Sequence, residues 1–544
     1  MKGLMQDRPL LVSTLIAHAA RNHGDAEIVS RLGVDILFRY SYAACEARAK
    51  KLARALARLG VSRGDRVATL AWNTHRHLEI YYAVSGSGAI CHTINPRLFF
   101  EQIQFICNHA QDAVMLFDLT FVDQVSRLAS QTPSIKHWIA LCDRSALPTG
   151  IAVAGLLSYE ELIEQEDGDY EWPQVDEYSA ASLCYTSGTT GDPKGVLYTH
   201  RSAVLHTYAA ATPDCFGLSS GDVIMPASSM YHANAWGVPY VATMVGAKLV
   251  LCGQHLDGPN LYHLIEGEQV TQSMGVPTVW LGLMQFLEGT GRSLSSLKQI
   301  VIGGAACPLT LIEQFRNRFA VDVVQLWGMT ETSPLGTVNR FKRKHAKWPV
   351  DRQDQVRAKQ GRVVYGCDLE IFDTRGIPLP HDGKAFGSLM IRGWWVASGY
   401  YRVDGDALTQ DGWFPTGDIA TLDPDGYMRI TDRSKDVIKS GGEWISSVDL
   451  ENEAVRHPEV AEAAVIGVPH PKWDERPLLL IVPKRPGELT KVMIREFLAD
   501  KVARWWLPDD VVFVSELPHT ATGKILKTAL RRQYAEHMLK SHTG

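Results

Sequence analysis

Apolar positions along the first half of the chain switch repeatedly between two periods. From 42 to 59 Ala, Leu and aromatic residues recur every three or four positions with Arg and Lys between them, and Gly60 follows, which predicts an amphipathic helix with a stop signal. Residues 66–71 then form a short apolar run that predicts a buried strand, and 75–86 predict a second helix. Further short runs at 113–117, 248–251 and 299–302, each bounded by polar residues or glycine, predict more strands. Alternation of this kind implies parallel sheets covered by helices. Beyond about residue 360 the texture changes to short strands and turns, as at 387–391 and 423–427, which predicts a β-rich subdomain to 431. The charged segment 432–436 is the best boundary, because a compact α+β pattern restarts after it at 448–455, 461–468, 478–482 and 491–498. The expected fold class is therefore α/β. A large N-terminal domain of helix-covered sheets, 1–431, would precede a hinge at 432–436 and a small α+β domain at 437–544.

Composition narrows what such a chain does. At 544 residues, with 45% hydrophobic and 21% charged residues, it is ordinary globular material and too long for one core. Lys and Arg number 55 against 60 Asp and Glu, a net charge of −5, so no broad basic surface for nucleic acid is expected. Nine scattered cysteines include no Cys-x-x-Cys pair, which argues for a reducing compartment and against a zinc site or a disulfide framework. The first residues are too brief and interrupted for a secretory signal, and no run of 18 apolar residues occurs. A cytoplasmic location is expected.

Against that background one segment carries chemistry. Tyr185-Thr-Ser-Gly-Thr-Thr-Gly-Asp-Pro-Lys-Gly195 packs small hydroxyl residues, glycines and a lysine between two strand-like runs, 180–185 and 196–199. Glycine lets backbone N–H groups approach an anion, Thr and Ser add donors without bulk, and Lys194 adds charge. Strand, loop, strand is the wrong context for a Walker loop, whose Gly-x4-Gly-Lys-Ser/Thr must open a helix. The bland alternative is a flexible hairpin turn.

The loop resembles the signature of the adenylate-forming superfamily: acyl-CoA synthetases, luciferases and peptide-synthetase adenylation domains. Trp327-Gly-Met-Thr-Glu331, Thr416-Gly-Asp418, Asp432-Arg-Ser-Lys-Asp-Val-Ile-Lys-Ser-Gly-Gly442 and Pro518-His-Thr-Ala-Thr-Gly-Lys524 resemble further motifs of that superfamily in its order. Within it, Met230-Tyr-His-Ala-Asn-Ala-Trp-Gly-Val-Pro-Tyr240 and Ser440-Gly-Gly-Glu-Trp-Ile-Ser-Ser-Val-Asp-Leu-Glu451 resemble bacterial medium- and long-chain fatty-acyl-CoA synthetases, and methylmercaptopropionate ligases share the pattern.

The resemblance implies an AMP-forming acid:CoA ligase that uses ATP, Mg²⁺ and CoA. Thr186, Ser187, Gly188, Thr189, Thr190 and Lys194 would cradle phosphates, with Thr186 also in the catalytic set. Gly304, Ala305 and Ala306, after Gly303, would let the purine approach the backbone, beside Trp327, Gly328, Met329 and Thr330. Glu331 would bind Mg²⁺, Asp418 the ribose, and Arg433 the ribose or a phosphate. Lys524 would bridge the acyl carboxylate and α-phosphate during adenylation, then leave as the small domain rotates about Lys435 and brings Lys439, Gly441, Gly442 and Trp444 to the thiol path. His232, Trp236, Val238 and Ile302 would line the acyl pocket. Taken singly, each has an ordinary reading: a surface acid for Glu331, a core aromatic for Trp327 or Trp236, a solvated lysine for Lys524.

The expected partners are ATP, CoA and a small carboxylic acid, in a homodimer. The rival functions are an adenylating enzyme with another acceptor, a kinase, and a non-catalytic nucleotide or fatty-acid binding protein. Chain length of the acid, with 3-methylmercaptopropionate as the short alternative, is not readable.

Overall fold

The computed structural model describes residues 1, 3–186, 192–440, 443–485, 487, 489–519 and 525–537. By compactness the chain divides into Met1–Asp368 with Arg392–Phe414, and Leu369–Ile391 with Pro415–Gly544.

In the first unit, the predicted amphipathic stretch is the helix Tyr42–Arg58, which starts where Ser41 Oγ accepts from the amide of Ala44. It buries Tyr42, Cys45, Ala49, Leu52, Ala53 and Leu56, the three- and four-residue spacing that the sequence shows. Tyr42 satisfies its buried hydroxyl by donating to Ala247 O at 2.8 Å. The following strand Arg66–Leu70 and helix His75–Gly86 also form as expected, the helix buried on nearly every side.

Two sheets organise this unit. In one, the strands run in the order Leu157–Ser158, His137–Ala140, Val114–Phe117, Arg66–Leu70, Ile90–Thr93, Ala180–Tyr185 and Gly195–Thr199. All neighbours are parallel except the last pair, the antiparallel hairpin that flanks 186–194. In the other, Lys248–Leu251, Val223–Pro226, Gln272–Gly275, Gln299–Ile302 and Asp322–Gly328 are parallel neighbours. Helices Gly258–Glu268, Pro277–Thr290 and Leu309–Phe319 cover it with Leu261, Ile265, Trp280, Leu283, Leu311 and Phe315.

The strands Cys367–Phe372, Phe386–Gly393, Phe414–Leu422 and Tyr427–Arg433, neighbours in that order, lie mostly in the second unit and are the β-rich texture read from the sequence. The other sheet of that unit is built on Asp474–Pro483, antiparallel to Val460–His470 and parallel to Asp510–Phe513. Leu450, Ile494 and Leu498 pack on one face with Val465, Leu479 and Ile481. Leu530 packs on the other with Ile466, Leu478 and Leu480. The alternation along these strands, apolar on both faces, is what a sheet covered on both sides requires. Among the described residues no helix is long and apolar enough to cross a membrane.

Candidate active site

Strand register decides where the first unit's candidate residues gather. Pro226 lies beside Met274, Gly275 beside Ile302, and Ile302 beside Gln325, so the parallel strands end together. The segments leaving those ends are 227–237, 303–307 and 329–331, which hold His232, Trp236, Gly304, Ala305, Ala306, Met329, Thr330 and Glu331. Carboxyl ends of parallel strands are where open α/β sheets bind ligands. Gly304, Ala305 and Ala306 are exposed there, and the turn is fixed where Cys307 N donates to Gln325 Oε1 at 3.2 Å.

Two glycines shape the neighbouring segment. A Cβ on Gly328 would stand 1.5 Å from Pro334 O, and one on Gly336 would stand 2.5 Å from the Trp327 ring. No other residue fits either place. Trp327 is accordingly 6% exposed with its ring seated on Gly336, and Ile302 and Val238 are fully enclosed.

Lys194 and Glu331 meet through a residue that the sequence reading did not single out. Tyr400 Oη donates to Glu331 Oε1 at 2.7 Å, while Lys194 Nζ lies 4.8 Å from the centre of the same ring. Burial and the Glu331 carboxylate push the Tyr400 phenol well up, so it remains a donor. Glu331 is held again at its main chain, where its O accepts from Ala397 N at 2.7 Å. Tyr198 Oη donates to Thr330 O at 2.6 Å. Thr186 N donates to Lys194 O at 2.9 Å and closes the base of the loop. The signal for Tyr400 was the aromatic doublet at 400–401 after a strand, which taken alone reads as packing. Ser187, Gly188, Thr189 and Thr190 lie outside the described residues.

Residues 233–237 contain an unusual backbone. Ala233, Asn234, Ala235 and Trp236 have φ of 43°, 52°, 49° and 58°, and Gly237 continues at 80°. L-residues lose about 1–2 kcal/mol each in this left-handed region, so the turn persists only because its surroundings hold it. Asn234 Nδ2 donates to Ser182 Oγ at 3.0 Å and Ala235 N to His232 O at 3.1 Å. A cavity of about 10 Å³, lined by Tyr198, His206, Asn234, Gly237, Tyr240 and Ser333, adjoins the turn and has room for about one water. His206 is fully buried, and desolvation pushes its imidazole down to about 3. Met230 and Trp236, by contrast, are buried outside that lining.

In the second unit, Asp418 is 1% exposed and pairs with Arg433, whose Nε lies 2.8 Å from Oδ1 across a strand pair that places the two residues opposite each other. Asp432 accepts from Ser447 N at 2.6 Å and from Ser447 Oγ at 3.1 Å. Lys527 reaches Ser447 Oγ and Glu451 Oε1, both at 2.7 Å, and Arg531 reaches Asp436 Oδ1 at 2.7 Å. Both ends of the 432–436 segment are thus fixed by side chains of the same unit. Lys435 between them is exposed, and Lys439 pairs through its backbone with Trp444. Gly441, Gly442 and Lys524 lie outside the described residues.

Among the described residues no three His, Cys, Asp or Glu side chains come together as a metal site. Glu331 is a buried carboxylate that shares the Tyr400 ring with Lys194, and a carboxylate oxygen is the kind of donor Mg²⁺ takes.

Residues 16–401 match the AMP-binding enzyme family, and residues 449–524 match the C-terminal domain of AMP-binding enzymes. The chain is 53% identical over 538 residues to the 3-methylmercaptopropionyl-CoA ligase of Ruegeria lacuscaerulensis, covering 98% of this chain and 99% of that one. It is 49% identical over 544 residues to the medium-chain-fatty-acid–CoA ligase of Ectopseudomonas oleovorans, covering 100% of both. Its fold matches the anthranilate CoA ligase AuaEII in complex with anthranoyl-AMP with a TM-score of 0.85 at 24% identity, over 98% of this chain and 99% of that one. The chain therefore belongs to the family of AMP-binding enzymes. It is an AMP-forming acid:CoA ligase, which activates a carboxylic acid with ATP as the acyl-adenylate and transfers the acyl group to CoA.

Proposed function

We propose that the acid is a fatty or related aliphatic one. The observation that carries this reading is the apolar character of the acyl segment: Met230, Trp236, Val238 and Ile302 are all buried at the strand ends. The second reading, 3-methylmercaptopropionate, is favoured by the 53% identical ligase. A thioether differs little from a methylene in an apolar pocket, and one methylene discriminates by about 1–3 kcal/mol. A panel of acids from acetate to palmitate, with methylthio and aryl acids, ranked by kcat/KM, tests both. Preference for aryl acids would overturn both.

In the first half-reaction the acid's carboxylate oxygen attacks the α-phosphorus of ATP in line, and pyrophosphate departs. In our reading Thr186 to Lys194 hold the β- and γ-phosphates, and Glu331 offers a carboxylate oxygen to Mg²⁺, which neutralises phosphate charge when bound. Residues 304–306 and 327–330 receive the adenine, and Asp418 with Arg433 receives the ribose. Lys524 bridges the developing charge. In the second half-reaction the CoA thiolate attacks the acyl carbonyl and AMP departs. The hinge at 432–436 would turn 437–544 between the two steps. Lys524→Ala is therefore expected to lower acyl-AMP formation by about 10²–10³-fold while sparing thioester formation from supplied acyl-AMP. Single-turnover pyrophosphate release and acyl-AMP consumption measure the two, and equal loss of both would remove Lys524 from this role.

Nine buried free cysteines support a reducing, cytoplasmic setting. The expected homodimer is tested by sedimentation velocity.

A further inference from the structure

The segment 395–402 contacts several residues around the proposed phosphate and carboxylate site of the first unit, Glu331, Lys194 and Gly195 among them. Ser333 Oγ donates to Trp395 O at 2.8 Å, and Trp395 Nε1 donates to Leu335 O at 2.8 Å. Ala397 and Tyr400 hold the main chain and side chain of Glu331. Tyr401 N donates to Gly195 O at 2.8 Å, at the exit of the phosphate loop. Arg402 donates from one nitrogen to His109 O at 2.9 Å and from another to Gln111 Oε1 at 2.6 Å. His109 Nδ1 in turn lies 2.7 Å from the hydroxyl of Tyr185, the residue that enters the loop. Entry, exit, lysine and carboxylate are thus tied to one short strap, and Arg402 adopts φ 53° to reach its partners.

We propose that Tyr400 is a positioning residue for nucleotide-bound Mg²⁺, and that 395–402 sets the spacing between the Glu331 carboxylate and the phosphate loop. This rests on the assignment of Glu331 as the Mg²⁺ ligand. A carboxylate has two oxygens and rotates freely on a flexible stem. With Oε1 occupied by the Tyr400 hydroxyl, Oε2 is left for the cation in one orientation. The same ring face that carries Lys194 keeps the ammonium at a fixed distance from that carboxylate, so the two opposite charges are held by one aromatic spacer. Partners of this kind commonly contribute 10–100-fold to metal affinity, about as much as some ligands do.

A plain packing role for Tyr400 makes a different prediction, and Tyr400→Phe separates the two because it keeps the ring under Lys194 and removes only the hydroxyl. The experiment measures Mn²⁺ binding to the enzyme with a non-hydrolysable α,β-methylene ATP by loss of the free-Mn²⁺ electron paramagnetic resonance signal, beside the melting temperature and the KM values for ATP and acid. Tyr400→Phe is expected to weaken Mn²⁺ binding about tenfold and raise the KM for metal–ATP, with the KM for acid unchanged. Glu331→Gln is expected to weaken Mn²⁺ binding further. Arg402→Lys, which breaks the paired contacts to His109 and Gln111 far from the cation, should raise the KM for ATP and leave Mn²⁺ affinity less affected. Wild-type Mn²⁺ affinity in Tyr400→Phe with loss in Glu331→Gln would overturn the strap while leaving the ligand assignment standing. Unchanged affinity in both would overturn the assignment of Glu331 and the strap with it. A lowered melting temperature with unchanged Mn²⁺ affinity would make Tyr400 a packing residue only.

Discussion

The proposed phosphate site of the first unit and the proposed hinge at 432–436 in the second are held by different forces. Around Lys194 and Glu331 most restraints are neutral or one-sided: backbone amides, phenol hydroxyls and an aromatic face. Around 432–436 they are ion pairs and charge-assisted bonds: Arg433 with Asp418, Arg531 with Asp436, Lys527 with Glu451, and Asp432 with Ser447. Short-range neutral contacts define one geometry and resist change. An ion pair with one solvated partner, as at Arg433, exchanges partners and water at little net cost, whereas the enclosed Lys527–Glu451 pair is held more firmly. A site proposed to receive a polyphosphate ready-made is served by the first kind, and a segment proposed to rotate is served by the second.

That contrast can be broken most strongly at Lys527. Lys527→Met strands Glu451, which is largely enclosed, and is expected to cost about 3–5 kcal/mol, the usual loss when one partner of a buried pair is removed. Denaturant unfolding followed by tryptophan fluorescence measures it. A loss below 1 kcal/mol would mean that the charges around the hinge are not what holds it.

Next in size is the pivot. Lys435→Pro fixes φ near −65° and should slow CoA-dependent decay of preformed acyl-AMP by about 10²-fold, the scale of a small misplacement of reacting groups, while acyl-AMP formation changes much less. Wild-type decay in single-turnover experiments would show that the pivot lies elsewhere or that no rotation occurs.

Acid sharpens the comparison from the side of the first unit. Burial pushes the imidazoles of His77 and His206 down to about 4 and about 3, and His77 is fixed in a neutral form between Thr69 Oγ1 at 3.0 Å and Trp72 O at 3.1 Å. Their folded values lie below the unfolded value near 6.5, so below that pH the unfolded chain binds more protons than the native one. Stability is whole above pH 6.5 and falls as pH drops toward 4, by about 1 kcal/mol per pH unit for each histidine. Unfolding curves at pH 7.5, 6 and 5 measure this. His206→Gln should flatten the slope, and an unchanged slope would remove His206 as a contributor.

Salt gives the smallest effect. Raising ionic strength from about 0.05 to 0.5 M should alter thioester formation by less than tenfold and leave Mn²⁺–nucleotide-independent contacts such as Tyr198–Thr330 untouched, because exposed ion pairs are worth about 0–1 kcal/mol. Equal salt dependence of both half-reactions would erase the proposed distinction.

Much of the frame is legible because it follows from local pattern. The helix Tyr42–Arg58 and the strands Lys248–Leu251 and Gln299–Ile302 match their periodic segments to within a residue or so. The hairpin around the phosphate loop is readable from two strand-like runs separated by glycine and hydroxyl residues. What sequence pattern leaves out is set by long-range contact. Tyr400 meets Glu331 across 69 positions, and Arg402 meets His109 across 293, so no local window contains either pair. The left-handed turn at 233–236 is equally hidden, since Ala, Asn, Ala and Trp carry no glycine signal for positive φ. The interleaving of 369–391 and 392–414 between two compact units likewise depends on which strands close over which core.

The left-handed turn bears on how the proposed acyl segment could be exchanged between related ligases. Its shape is stored partly in Ser182, on a strand some 50 positions away whose end opens the phosphate loop. Transplanting 230–240 alone would therefore move the letters of the proposed acyl segment without the Ser182 clasp that helps give them their form. A graft that carries residues 180–184 together with the turn preserves the clasp.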